Sequence, residues 1–124
     1  MLTIRPEQMD ALRRYMTERF ERRLFDHIRR SFPAESEKLG EETALELVRT
    51  GIARAANYGL DTEYDAARFV VLMVARCPDF DSESPWVREL LTDESLLPRE
   101  RLDAVCQRAE AEWGIAPEKW PALG

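Results

Sequence analysis

The run Phe69-Val-Val-Leu-Met-Val-Ala75 constrains this chain more than any other stretch, because it is apolar on every side and offers water no polar face. Such a segment is either a helix enclosed by other elements or a fully buried strand. Ala66 and Ala67 lead into it and no second strand-like run exists to pair with it, so the sequence predicts a helix, although the β-branched valines lean mildly the other way. It is also far shorter than the ~20 residues needed to cross a bilayer. The other elements must therefore enclose it.

Those elements read as helices too. Pro6 suits a first helical turn, and Met9, Leu12, Met16, Phe20, Leu24, Ile28 and Phe32 recur at steps of three or four, which predicts one apolar face on a helix from about residue 6 to 31. Pro33 stops it, and the stretch from Pro33 to Leu39 reads as a short turn closed by Gly40. A second helix starts at Glu41 and Glu42, carries Leu45, Val48, Ile52, Ala55 and Ala56 on one side, and ends at Gly59, with Leu60 as the apolar residue that follows such a cap. Thr62 is the N-cap of the third helix, the one that contains the apolar run, and Asp65 stands where a capping box carries Glu. Pro78 ends it. A polar stretch from Asp79 to Ser84 leads to a short helix around Trp86 to Leu91, and a last helix from about Pro98 to Trp113 carries Leu102, Val105, Ala109 and Trp113 in register.

The expected fold is all-α: about five helices in one compact orthogonal or bundle-like domain, residues 1–115, around a buried third helix. Residues 116–124 form a tail whose Trp120 and Leu123 either pack back on the body or wait for a partner. With 124 residues, 44% of them hydrophobic and 34% charged, the chain is too apolar for intrinsic disorder and long enough for one core.

Charge narrows the choice of partners. The formal net charge is −6, which opposes phosphate backbones and anionic lipid surfaces. It is unevenly spread, with residues 1–32 carrying +3 and residues 33–124 carrying −9. Arg outnumbers Lys sixteen to two, a bias that a GC-rich coding sequence would produce unaided. Cys77 and Cys106 lie far apart in no metal-ligand spacing, and a lone His27 cannot complete a zinc site with them, so no metal or cofactor is expected. Both cysteines read as small buried hydrophobes of a reducing compartment. The start, MLTIRPEQMD, lacks the pattern of a signal peptide, which makes the cytoplasm the expected location.

Three constellations invite a functional reading. Arg19, Arg22, Arg23, Arg29 and Arg30 fall within a sector of roughly 120° on the first helix, with Asp26 near its middle. They form either a solvated flank paired with the acidic remainder, a docking face for a partner, or, less readily, a phosphate-binding face. His27 shares a side with Met16, Phe20 and Leu24 and reads as a core or boundary histidine; no Gly-x-Ser-x-Gly, phosphate loop or His-Glu-x-x-His pattern accompanies it. Asp79, Asp81 and Glu83 alternate like the start of a calcium loop, but Ser84 and Leu90 stand where Gly and a bidentate Glu are required, which leaves turn chemistry. Trp86, just after Pro85, either covers the core or faces outward as an anchor for a partner. The residues expected to bind a partner are thus Arg19, Arg22, Arg23 and Arg30 together with Asp79, Asp81 and Trp86.

Leu2-Thr-Ile-Arg-Pro-Glu-Gln-Met9, Phe32-Pro33, Leu39-Gly40-Glu41, Gly51-Ile52-Ala-Arg-Ala-Ala-Asn-Tyr-Gly59 and Pro78-Asp-Phe-Asp81 with Pro85-Trp86 form a set that resembles a family of small, largely uncharacterised bacterial proteins. Genes of that family tend to lie beside type VI secretion components and toxin effectors. The resemblance spans residues 2 to about 91 and carries over no catalytic residue. It implies a non-enzymatic accessory role in protein–protein interaction: an adaptor or chaperone for a secreted effector, or an immunity protein for a toxin. The alternative from another class is a small helical DNA-binding regulator presenting Arg to phosphates.

Overall fold

The computed structural model describes the backbone of residues 6–122 and the side chains of residue 11 and of residues 13–122. Among the described residues the chain is all-helical, without a strand. The elements are α1 (Pro6–Ser31), α2 (Pro33–Leu39), α3 (Glu41–Asn57), α4 (Glu63–Ala75), α5 (Phe80–Glu83), α6 (Pro85–Leu91) and α7 (Pro98–Trp113), followed by a single 3-10 turn (Pro117–Lys119). The expected count of about five is therefore too low. The two additions are α2, read from sequence as a short turn, and α5, read as part of a polar loop.

Every residue of α4 from Asp65 to Met73 is buried. Two neighbouring clusters explain why its apolar character runs all the way round. Ala66, Phe69, Leu72 and Met73 pack with Val87, Leu91, Leu102, Val105 and Ala109 of α6 and α7. Ala67, Val70 and Val71 pack instead with Leu24, Ile28 and Phe32 from the α1 side and Val48 of α3. Residues spaced by three or four share a face, so one helix serves two clusters with two opposite stripes.

The approach of α3 to α4 rests on Gly51. A Cβ there would lie 2.6 Å from Val70 Cγ2 and 2.8 Å from Met73 Sδ, both inside van der Waals contact. The α3 terminus is a Schellman cap: Leu60 N–H donates to the Ala55 carbonyl at 2.9 Å and Gly59 N–H to the Ala56 carbonyl at 3.0 Å. Gly59 takes φ +82°, and Leu60 is buried as the apolar residue after the cap. Thr62 then caps α4 by accepting from Asp65 N–H at 3.2 Å, so the two helices follow each other almost directly.

Among the described residues of the expected α1 face, burial begins at Leu24 and does not extend back to Met16. Leu24, Phe25, Ile28 and Phe32 are buried, whereas Met16 is 56% exposed and Tyr15 60% exposed. The side chains of Met9 and Leu12 lie outside the described residues. The physical reason is length: 26 residues make a rod of roughly 40 Å, while the 17 residues of α3 beside it reach only about 25 Å. Periodicity marks a face, but another element has to reach it.

The tail folds back as far as it is described. His27 Nε2–H donates to the Lys119 carbonyl at 2.8 Å, Lys119 Nζ donates to the Ser31 carbonyl, and Trp120 Nε1–H donates to Glu110 Oε1 at 2.6 Å. Leu123 lies outside the described residues.

Two substitutions test this packing. Gly51→Ala improves intrinsic helix propensity by about 1 kcal/mol, yet it should lower stability by about 1–2 kcal/mol in urea unfolding, because Val70 is branched and cannot yield freely. Val70→Asp places a carboxylate between α1, α3 and α4 and should prevent cooperative folding, a cost of several kcal/mol; a soluble variant with a sharp thermal transition would contradict the enclosure of α4.

Candidate functional site

The residues expected to bind a partner fall into two groups at opposite ends of α4. Arg23 reaches the first residue of that helix, donating from Nη2 to Glu63 Oε1 at 3.0 Å, while Asp79, Asp81 and Trp86 follow its last turn. Thirteen helical residues, roughly 20 Å, separate the two ends. One continuous patch comprising both groups is not formed.

At the C-terminal end the acids are bracing. Asp81 is buried and accepts from Tyr58 Oη–H at 2.8 Å and from Arg54 Nη1 at 3.2 Å, and Arg54 also donates to the Pro78 carbonyl at 2.6 Å. Burial, with the Asp81 carboxylate accepting its hydrogen bond, pushes the Tyr58 hydroxyl up to about 12. Phe80 is fully buried against Phe69, with ring centroids 4.9 Å apart. This anchoring turns the expected polar loop into α5, and it withdraws Asp81 from solvent while Asp79 stays exposed. Trp86 is half-buried, its ring 5.2 Å from that of Trp113, with the Arg108 guanidinium 4.5 Å from its centroid.

Of the two cysteines expected to be buried, Cys106 is buried, whereas Cys77, just beyond the end of α4, is only half-buried. Burial pushes the Cys106 thiol up to about 12. Cys77 is held above the ordinary thiol range, first by burial and then by its hydrogen bond to Glu83 Oε2 at 3.3 Å. Neither is a poised thiolate at neutral pH. Among the described residues, no group of three or more His, Cys, Asp and Glu is placed to hold a metal ion. No helix among them is long and apolar enough to cross a membrane.

A second polar group fastens α4 to α7. Arg68, buried in the middle of α4, donates to Asp65 at 2.9 Å and to Asp103 of α7 at 2.7 Å, and Arg99 Nε donates to Asp65 at 3.1 Å. Burial works against the charge on Asp65, but hydrogen bonds from Arg68, Thr62 and Arg99 outweigh it and hold the carboxyl below its ordinary range. The side chains of both Asp65 and Arg68 are only 6% exposed, while their α7 partners Asp103 and Arg99 stand at the surface, so the buried pair pins two helices.

At the other end of α4 lies a cleft of about 370 Å³ between α1, the first turn of α4 and the tail. Phe20, Arg23, Leu24, His27 and Arg30 line it from α1; Glu63, Tyr64 and Ala67 line it from α4, and Pro121 and Ala122 close it. The α1 residues follow the three- and four-residue steps of one helical face. His27 is a boundary residue here, its Nε2–H held by the tail. Arg22 is paired with Glu41 of α3 at 3.5 Å, while Arg19 and Arg30 are exposed and have no ion-pair partner among the described residues. The arginines were visible in the sequence. The cleft was not, because its walls come from three distant segments.

Two measurements check these assignments. Trp86→Ala should lower stability by about 1–3 kcal/mol, since the ring covers Trp113 and the core below it. Because the folded Asp65 carboxyl titrates below its unfolded counterpart, its stabilisation is complete above the unfolded value near pH 4 and is lost as the pH falls through the folded one. The unfolding free energy of Asp65→Asn should therefore fall less steeply with acidification than that of the parent.

Comparison with protein-family models, curated proteins and solved structures gives no match to this chain.

Proposed function

We propose that this protein is a non-enzymatic protein–protein interaction module that docks an acidic partner along the N-terminal half of α1. The observation that carries this reading is the exposure of every side chain from residue 13 to residue 19, among them Tyr15 and Met16. Two large apolar groups exposed on successive positions of α1, with Arg13, Arg14 and Arg19 around them, supply the amphipathic anchors and the guanidinium rim that interfaces favour. Arg22, Arg23 and Arg30 extend the basic flank toward the body, where Glu41 and Glu63 neutralise two of the three.

The role that suits such a module is accessory: an adaptor or chaperone for an effector, or an immunity protein, of a type VI secretion or toxin locus in a bacterial cytoplasm. Its support is the sequence resemblance together with two thiols held protonated, only one of them buried, and a histidine engaged by the chain's own tail. A DNA-binding role is disfavoured by the −6 net charge and by Glu18 and Glu21 interleaved with the arginines of α1.

Co-expression with the products of neighbouring genes tests the reading. A stoichiometric complex should form, and Tyr15→Ala combined with Met16→Ala should weaken it at least about tenfold while leaving the melting temperature unchanged. Arg19→Glu should slow association more than it speeds dissociation. A complex indifferent to all three substitutions would remove α1 from the interface, and retardation of duplex DNA at low salt would favour the regulator instead.

A further inference from the structure

The cleft at the start of α4 shares Arg23 and Arg30 with the basic flank of α1 and adds an apolar floor that the docking surface does not use. Its floor is apolar, made by Phe20, Leu24 and Ala67, and its volume of about 370 Å³ falls within the range of small-molecule sites. Its rim is cationic. Arg23 is held by Glu63 in a pair whose side chains are 58% and 55% exposed, a geometry in which an ion pair contributes little and exchanges readily. Arg30 lines the cleft with no ion-pair partner among the described residues. The positive end of the α4 dipole forms the opposite wall: Thr62 caps Asp65 N–H, but the preceding Glu63 and Tyr64 N–H groups have no acceptor within their own helix. The tail residues Pro121 and Ala122 complete the enclosure.

We propose that this cleft binds a small organic carboxylate with a short apolar body. The carboxylate sits between Arg30 and Arg23, where a guanidinium fork takes both oxygens, and the apolar part lies over Phe20, Leu24 and Ala67. Glu63 is the competitor. Its own carboxylate occupies Arg23 in the empty protein, so a ligand displaces an acid already present and exchanges one carboxylate for another. Affinity is then set by Arg30 and the apolar floor, and Glu63 acts as a brake on it.

Octanoate is a suitable probe, with octanamide as its uncharged counterpart, followed by amide chemical shifts of the full chain. Octanoate should perturb residues around Leu24, Ala67 and Ala122 in a saturable manner, and octanamide should bind clearly more weakly. Arg30→Gln should weaken octanoate about three- to tenfold, whereas Glu63→Gln should strengthen it by a similar factor; neither should alter the response to octanamide. Arg30 and Glu63 are both exposed, so the variants keep the fold, and their unchanged spectra away from the cleft verify this. The proposal is overturned if octanoate leaves the cleft residues unmoved, if octanamide binds equally well, or if Glu63→Gln weakens binding. Because no protein partner enters this measurement, its failure would leave the α1 docking surface untouched.

Discussion

The enclosure of α4 is the constraint from which the other elements take their positions. A helix with apolar residues on every side gains from burial only if all sides are covered, at roughly 25 cal/mol per Å² of apolar surface removed from water. Coverage by one neighbour would leave half of that gain unrealised. Two sets of helices supply it here, α1 and α3 against Val70 and Val71, and α6 and α7 against Phe69, Leu72 and Met73. The absence of a side chain at Gly51 lets α3 come near enough for Val48 and Ala55 to reach the two clusters on either side of α4.

Enclosure also brings Asp65 and Arg68 inside, since they sit on the same helix as the apolar run. Two charges leaving water cost several kcal/mol each unless their hydrogen-bonding capacity is met. The Asp65 carboxylate meets most of its own through Arg68 and Arg99. Arg68 gains Asp103 and the face of Tyr64, 4.5 Å from its guanidinium carbon, while its Nε is left without a partner. The group therefore adds less to stability than to alignment. It allows one position of α7 along α4, because sliding by a turn would separate Arg68 from Asp103.

What the sequence disclosed and what it withheld divide along the same physical line. Caps and stops are local, so Gly59, Thr62, Pro33 and Pro98 mark helix ends that agree with the structure. The all-round apolar run identifies the enclosed helix for the same reason. A four-residue helix such as α5 has no periodicity to read; it exists because Phe80 is buried and Asp81 is gripped by Tyr58 and Arg54, contacts about 25 residues apart in the chain. Met16 belongs to a correct periodic face, yet no rule of spacing says where the covering helices end. The cleft is the least local feature of all. His27 meets Lys119 across 92 residues and Arg23 meets Glu63 across 40, so its members carried a signal only on the α1 side, as the run Phe20, Arg23, Leu24, His27 and Arg30.

The two ends of α4 are consequently held in different ways. After its last turn the chain is tied down by Phe80, by the Asp81 hydrogen bonds and by Trp86 wedged between Trp113 and Arg108, so few polar groups remain unengaged. Beside its first turn the contact is an exposed ion pair, Arg23 with Glu63, which holds geometry weakly and exchanges partners at little cost. Residues 1–32 carry an excess of Arg against a remainder of the chain that is strongly acidic, and Arg23 and Arg30 bring part of it to this second end. Among the described residues Arg13, Arg14, Arg19, Arg29 and Arg30 are exposed without an ion-pair partner, a positive field open to an anion from outside. Side chains at that end of the central helix can therefore change partners without disturbing the clusters that bury it.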